Sequence, residues 1–400
     1  MFENILGQDR VVAQIRREVV GGVFPGSVLF YGEPYTGKLS TALETARALT
    51  CKGSGEWSCG CSSCRSHRVL DHPYVLMLGS RYFSEEISAS AEALLRSRST
   101  GARYLFIRAL RKLTRRFDPL LWEGNEQKIN KLRDRISDLE ELIEKFYPES
   151  PLPEEQELRS DLEKINSHVI ELSRLIPRET IPIDQIRAVR SWVHTSSSAG
   201  AKVIIIENAD KMGSSSRNAL LKILEEPPEA VHFILLSTRK AKIIPTILSR
   251  LRQYHFPLRS TAEEGEVMEK IFRIEHSEYP DLESFFLAWR GVPVERLRAQ
   301  ATHFFDYVWG NSQWEPEKLE EFLRDKNLSL YFGPFLQELS KVLQSRVREN
   351  EQECTLSYSS LDRWSQAIRE ALLRFEQFNQ APDLLLEGLL YSMKEMKAEQ

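Results

Sequence analysis

Three short apolar runs limit the fold more than anything else in the chain: Ser27–Tyr31, Lys202–Ile206 and His232–Leu236. Each is rich in Val, Ile, Leu or Phe, and polar or turn residues follow it. A run apolar throughout, without alternation, reads as a strand buried on both faces. Helical patterns such as Leu39–Ala48 and Ser216–Leu224 separate the runs. Strands alternating with helices predict an α/β fold, a parallel sheet with helices on both faces. At 400 residues the chain is long enough for two or three domains. Its net charge of −4 gives no global positive field for nucleic acid, so any such contact has to be local or supplied by partners.

A different pattern interrupts the sheet from about residue 80 to 178. Ile129, Leu132, Ile136, Leu139, Ile143 and Phe146 step by three and four, as do Leu158, Leu162, Ile165, Val169, Leu172 and Ile176. Between them, Tyr147-Pro148-Glu149-Ser150-Pro151-Leu152-Pro153 cannot continue a helix. The spacing predicts a helical hairpin, either packed on its own insertion or held out as a docking arm. After Pro257 no further strand is expected. The chain reads as an α/β core over 1–258, a small helical domain over 259–308 and a helical domain over 309–400, with breaks near Gly291-Val292-Pro293 and Gly310-Asn311-Ser312.

Gly32-Glu33-Pro34-Tyr35-Thr36-Gly37-Lys38-Leu39-Ser40 follows a predicted strand and opens a helix. This is the setting of a phosphate-binding loop, in which glycines let backbone N–H groups face phosphate and Lys38 reaches its terminal oxygens. The position after Lys38 normally brings a hydroxyl to Mg²⁺. Here it is Leu39, which offers no oxygen. The run Lys202–Ile206 ends in Glu207-Asn208, where an ATPase of this type places Asp then Glu, one for metal and one to activate water. A neutral amide at Asn208 cannot take a proton from water. Both departures touch metal and water, so hydrolysis is not expected, although backbone and Lys38 leave phosphate binding open.

Further motifs make the chain resemble the AAA+ clamp-loader family of bacterial DNA polymerase III, of gamma/tau and delta-prime type. Asn218-Ala219-Leu220-Leu221-Lys222-Ile223-Leu224-Glu225-Glu226-Pro227-Pro228 is similar to its characteristic helix and turn. Ile244-Pro245-Thr246-Ile247-Leu248-Ser249-Arg250 resembles its Ser-Arg-Cys motif, with Leu251 in place of cysteine. Ile5-Leu6-Gly7-Gln8 resembles its adenine-side box, and Ile183-Asp184-Gln185-Ile186-Arg187 its lead-in to the second acidic motif. The resemblance covers about 1–78 and 179–258, and further on only helical character. It implies an AAA+ core, a helical lid and a helical collar that joins other clamp-loader subunits, of gamma/tau and delta types. It also implies the sliding clamp and primed DNA as partners within the complex. Leu39 and Asn208 favour the family's non-hydrolysing branch, and 400 residues leave no room for a long tau-type extension. The resemblance assigns Arg250 as an arginine finger acting on a neighbour's ATP, and Thr238 as a phosphate-sensing position. Arg296 is only a loose candidate for the lid's sensor arginine. An active gamma-type ATPase and a non-replicative scaffold that docks through the hairpin stay open as other readings.

Cys51, Cys59, Cys61 and Cys64 lie close together, with Gly53, Gly55 and Gly60 among them. Four thiolates suit tetrahedral Zn²⁺, and the resemblance implies such a module at about 51–67. The tight Cys59-Gly60-Cys61 step puts one ligand in doubt, with His67 as a substitute. Lone Cys354 reads as an ordinary core or surface residue. From Arg96 to Arg116 the chain is basic without an acidic residue, which suits a phosphate-contacting face, or else a face that is solvated or paired with acids such as those of the hairpin. The N-terminus MFENILGQDR resembles neither a signal nor a transit peptide, and no apolar run approaches a membrane span. No membrane partner and a cytoplasmic location are therefore expected.

Overall fold

Among the described residues five parallel strands, β1 (Ser27–Tyr31), β2 (Val75–Leu78), β3 (Lys202–Ile206), β4 (Val231–Ser237) and β5 (Arg252–His255), form a sheet in the order β2-β3-β4-β1-β5. The computed structural model describes residues 1–177, 180–195, 200–310, 328–349, 358–378 and 380–398. Cys354 and the Asn311-Ser312 part of the second expected break lie outside them.

Helix α1 (Asp9–Val20) leads into β1 (Ser27–Tyr31), and the phosphate loop into α2 (Lys38–Thr50). After α3 (Ser62–Arg68) come β2 (Val75–Leu78) and the helical insertion. The sheet resumes with α9 (Ile183–Val193), β3 (Lys202–Ile206), α10 (Ser214–Glu225), β4 (Val231–Ser237), α11 (Pro245–Leu248) and β5 (Arg252–His255). Successive strand residues face opposite sides. Leu29, Ile204, Ile206, Phe233 and Leu235 pack with α9 and α10. Val28, Phe30, Val203, Ile205, Ile234 and Leu236 pack with α1 and α2. This two-sided burial is why β1, β3 and β4 read as unbroken apolar runs, and each fully buried aliphatic side chain contributes roughly 1.5–3 kcal/mol. The expected α/β class, a parallel sheet covered on both faces, is what the chain adopts.

Two strands lay outside the sequence expectation. β2 is four residues of Val, Leu and Met, all buried, and its Leu and Met suit a helix equally well. β5 buries only Tyr254, because it lies at the edge of the sheet.

The insertion is built from α4 (Phe83–Ser97), α5 (Thr100–Thr114), α6 (Glu126–Asn130), α7 (Arg133–Glu144) and α8 (Glu155–Ser173). The expected hairpin forms with its first arm broken at Lys131-Leu132 into α6 and α7, followed by the Pro-rich turn and α8. Leu139, Ile143 and Phe146 join Leu158, Ile165, Val169 and Leu172 around Phe106, Leu110 and Leu113 of α5. The heptad residues thus bury themselves on the insertion's own first helices. The basic stretch is consumed the same way. Arg111 pairs with Glu140 of α7, Lys112 with Glu86 of α4, and Arg103 donates to the carbonyl oxygens of Phe146 at 3.0 Å and Ser150 at 2.7 Å.

Helix α12 (Thr261–Val267) starts on a capping box between Ser260 and Glu263 and is followed by α13 (Leu282–Trp289). The chain separates into two compact units, Met1–Trp289 and Arg290–Gln400. The second contains α14 (Val294–Trp309), α15 (Leu328–Glu349), α16 (Tyr358–Phe378) and α17 (Pro382–Ala398). Trp364 is fully buried there and meets Phe305 edge to face at 5.8 Å. Among the described residues no helix is long and apolar enough to cross a membrane.

Candidate functional site

The carboxyl edge of a parallel sheet gathers the loops that follow its strands. Here β4 lies between β1 and β3, so Thr238 falls between the phosphate loop and Glu207-Asn208. The loop has the backbone its glycines foretell. Gly37 caps α2 at φ 86, in the left-handed region, and a Cβ on Gly32 would stand 2.1 Å from the Phe256 carbonyl oxygen. Lys38, however, turns into the loop. Its ammonium donates to Gly32 O at 2.9 Å, to Thr36 Oγ1 at 3.0 Å and to Glu33 O. Burial lowers its pKa to about 8; Arg259 pushes the same way and Glu33 opposes. Leu39 packs on the α1–α2 core.

Glu207, the residue after β3, lies between two cations. Arg116 donates to one carboxylate oxygen, and Arg81 lies 3.5 Å from the other. Arg81 also pairs with Glu86 at 2.9 Å, and Glu86 with Lys112. Burial alone would raise the Glu86 carboxyl, but Lys112 and Arg81 outweigh it and hold it near 2. Asn208 is left-handed at φ 51, and its Nδ2 donates to Ser80 O at 2.6 Å. Its amide is thus spent on the backbone beyond β2. Asp210 accepts from Ser237 Oγ at 2.7 Å.

Arg250 is exposed, after α11. Its Nη2 donates to Glu225 at 2.8 Å and its Nη1 to Thr246 O at 2.8 Å. An ion pair this exposed holds the side chain only weakly, leaving the guanidinium free to exchange Glu225 for a stronger anion.

At the far end of α2 the four cysteine sulfurs lie within 4.8 Å of one another. Cys51 Sγ is 3.4 Å from Cys64, 3.8 Å from Cys59 and 4.0 Å from Cys61. Tetrahedral zinc with bonds of about 2.3 Å sets its sulfurs about 3.8 Å apart, so the donor set fits that ion. The short step between Cys59 and Cys61 excludes neither. A Cβ on Gly53 would lie 2.8 Å from Cys59 Sγ, which explains glycine there. Arg47, ion-paired with Glu44, donates to Cys64 Sγ at 3.2 Å. Burial pushes the Cys64 thiol up to about 12, while the Cys61 N–H brings Cys59 down to about 6. His67 faces away from the sulfurs, its Nε2 2.7 Å from Thr50 Oγ1 and its ring stacked on His72 at 4.3 Å.

Sequence reading did not place Arg81, Arg116 and Glu86 around Glu207, or Arg259 beside Lys38. The one available signal was the basic run lacking acids of its own, which had to find them elsewhere.

The family model described as DNA polymerase III, delta subunit, matches residues 7–260. The DNA polymerase III subunit delta' of Pseudomonas aeruginosa is 35% identical over 123 residues, 30% of this chain and 37% of that protein. The tau subunit of Bacillus subtilis is 44% identical over 75 residues, 18% of this chain and 13% of that protein. The chain spans little more than a third, or less, of these relatives' length. A DNA polymerase III gamma subunit-related protein from Thermotoga maritima aligns at TM-score 0.28 and 19% identity, covering 59% of this chain and 90% of its own. With the family model running from the N-terminal box past β5, the chain belongs to the DNA polymerase III delta-subunit family of clamp-loader proteins.

Proposed function

We propose that this chain is a non-hydrolysing clamp-loader subunit of the delta-prime kind. It assembles with gamma/tau- and delta-type subunits, offers Arg250 to a neighbour's ATP and helps place a sliding clamp on primed DNA. The observation that carries the reading is the state of the acidic motif. Glu207 is bound by Arg116 and Arg81, Asn208 by Ser80 O, and Leu39 has no oxygen for a metal. Neither position of the motif offers a free carboxylate to activate water, so turnover has to occur in another subunit. The delta' subunit of Pseudomonas aeruginosa supports the same assignment. Arg250 supports the finger role by its exposure and by its planar donor fork, which suits charge building on a transferred phosphoryl group. Residues 259–308 would act as lid and 309–400 as collar. Cys51, Cys59, Cys61 and Cys64 would hold one structural Zn²⁺, giving the 51–67 segment a fixed shape. The setting would be cytoplasmic.

The test is Arg250→Ala in the reconstituted loader, reading clamp- and DNA-stimulated ATPase, with assembly followed by size exclusion. Stimulated turnover is expected to fall, by up to about 10³-fold if a single finger limits the cycle. Arg252→Ala, exposed on β5, should be close to neutral. Normal assembly with wild-type turnover in Arg250→Ala would remove the finger role. ATP turnover by the isolated chain that disappears in Lys38→Ala would favour an active gamma-type subunit instead.

A further inference from the structure

The chain fills part of its own cleft. Arg259, four residues beyond β5, sends its guanidinium between the N-terminal box and the phosphate loop. Its Nε and Nη2 donate to Leu6 O at 3.0 and 2.9 Å, and its Nη1 donates to Tyr35 O. The group lies so close to the loop that a Cβ on Gly37 would stand 2.6 Å from Nη2. Its stem also lies against the box, where a Cβ on Gly7 would stand 3.2 Å from Arg259 Cδ. Gln8 reinforces the closure, donating to Pro257 O at 2.9 Å. On the loop's other flank, Tyr35 stacks on Phe286 of α13, with centroids 4.9 Å apart and planes 9° from parallel.

A nucleotide seated here would need the loop's N–H groups turned to phosphate, Lys38 swung outward, and room for a base beside the box. Arg259 instead cross-links box and loop, segments more than 220 residues away from it in sequence. We infer that Arg259 is an internal plug of the nucleotide cleft, tying Leu6 to Tyr35 and keeping out nucleoside di- and triphosphates. The inference rests on reading the cleft as a degenerate nucleotide site, and it says why the site is shut rather than merely inactive. Hydrolysis is lost through Leu39 and Asn208; access is lost through Arg259.

The ligand probe is N-methylanthraniloyl-ADP, titrated with and without Mg²⁺ and followed by fluorescence anisotropy. Arg259→Met keeps the stem and removes the donors, and Arg259→Ala removes both. Wild type is expected to show no saturable binding up to about 1 mM, and Arg259→Met to bind at least about tenfold more tightly, since an internal competitor lowers apparent affinity by the fraction of time it is seated. Lys38→Ala added to Arg259→Met should abolish the gain. If wild type and Arg259→Met bind alike, or if neither variant binds, the plug is wrong. Should the variants fold poorly, amide exchange of residues 32–37 in the wild-type chain decides: ADP is expected to give no protection, and protection would overturn the inference. Loader turnover in Arg250→Ala is independent of these readouts, so the plug and the proposed function can fail separately.

Discussion

At the N-terminal end of α2, Lys38 folds back onto the loop that precedes it, and Gly32 O, Glu33 O and Thr36 Oγ1 accept its hydrogen bonds. At the C-terminal end of the same helix, Cys51 and its three partners turn their sulfurs toward a common point. The first end has satisfied its polar groups from within. The second holds four donors that bond one another only weakly and whose thiolates would repel. Substitution should therefore do little harm at the first end, while the second should depend on a bound cation.

The largest effect is expected at the cysteines. Chelation, or Cys64→Ser, should lower the melting midpoint by about 10 °C, the scale at which loss of a structural metal costs about 4–5 kcal/mol in a unit of this size. Amide exchange over α3 should rise with it. Metal analysis of protein purified without chelator should give one zinc per chain. Coincident melting curves with and without chelator would show that the sulfurs need no ion, and the contrast between the two ends of α2 would collapse.

A smaller loss is expected where the cleft meets the insertion. Arg116→Met leaves the Glu207 carboxylate with only Arg81 at 3.5 Å. Breaking one side of a buried pair costs about 3–5 kcal/mol, and the remaining cation should hold the loss to about 2 kcal/mol. The double variant Arg116→Met with Glu207→Leu should recover most of it, because no buried charge is then left unpaired. Urea midpoints of the two single variants and the double variant complete the cycle. A double variant as unstable as the sum of the singles would mean that the pair is not coupled.

What was legible in the sequence follows the same division between local and distant partners. β1, β3 and β4 were readable because burial on both faces removes polar residues from the strand itself. The cysteine loop was readable because its four donors lie on one short segment. The hairpin was readable from its heptads, though its choice to pack on α5 depended on Phe106 and Leu110, which no spacing rule links to Leu158. β5 was hidden because an edge strand keeps Arg252, Gln253 and His255 exposed. The cleft's real occupants were hidden for a related reason. Arg116 is 91 residues from Glu207, and Arg259 is 253 from Leu6. A motif shows which groups a site owns, whereas only the fold shows which groups have already been used.

The smallest effect is expected at Lys38, and its sign is opposite to that of the cysteines. Burial brings the folded pKa of this ammonium to about 8, against an ordinary value of 10.5. Between those values the unfolded chain binds more protons than the folded one, so the Lys38 contribution to stability rises with pH across that window. Below about pH 8 the full burden of keeping the ammonium buried is present; above 10.5 it is gone. Lys38→Met keeps the length and the apolar stem and removes both the burden and the bonds to Gly32 O, Glu33 O and Thr36 Oγ1. Since one pKa unit corresponds to about 1.4 kcal/mol and those bonds offset much of the gain, the variant should be more stable than wild type by about 1 kcal/mol at pH 7. The advantage should shrink from pH 8, vanish at about pH 9 and reverse in favour of wild type by about pH 10.5. Lys112 and Lys202 also titrate low, but they are common to both proteins and cancel in the difference. Urea unfolding of the pair at pH 7, 8, 9 and 10 measures the slope directly. A difference that stays constant with pH, or a variant less stable than wild type at pH 7, would show that Lys38 is not held as a buried charge and that the N-terminal end of α2 is as ready for a ligand as the cysteine end.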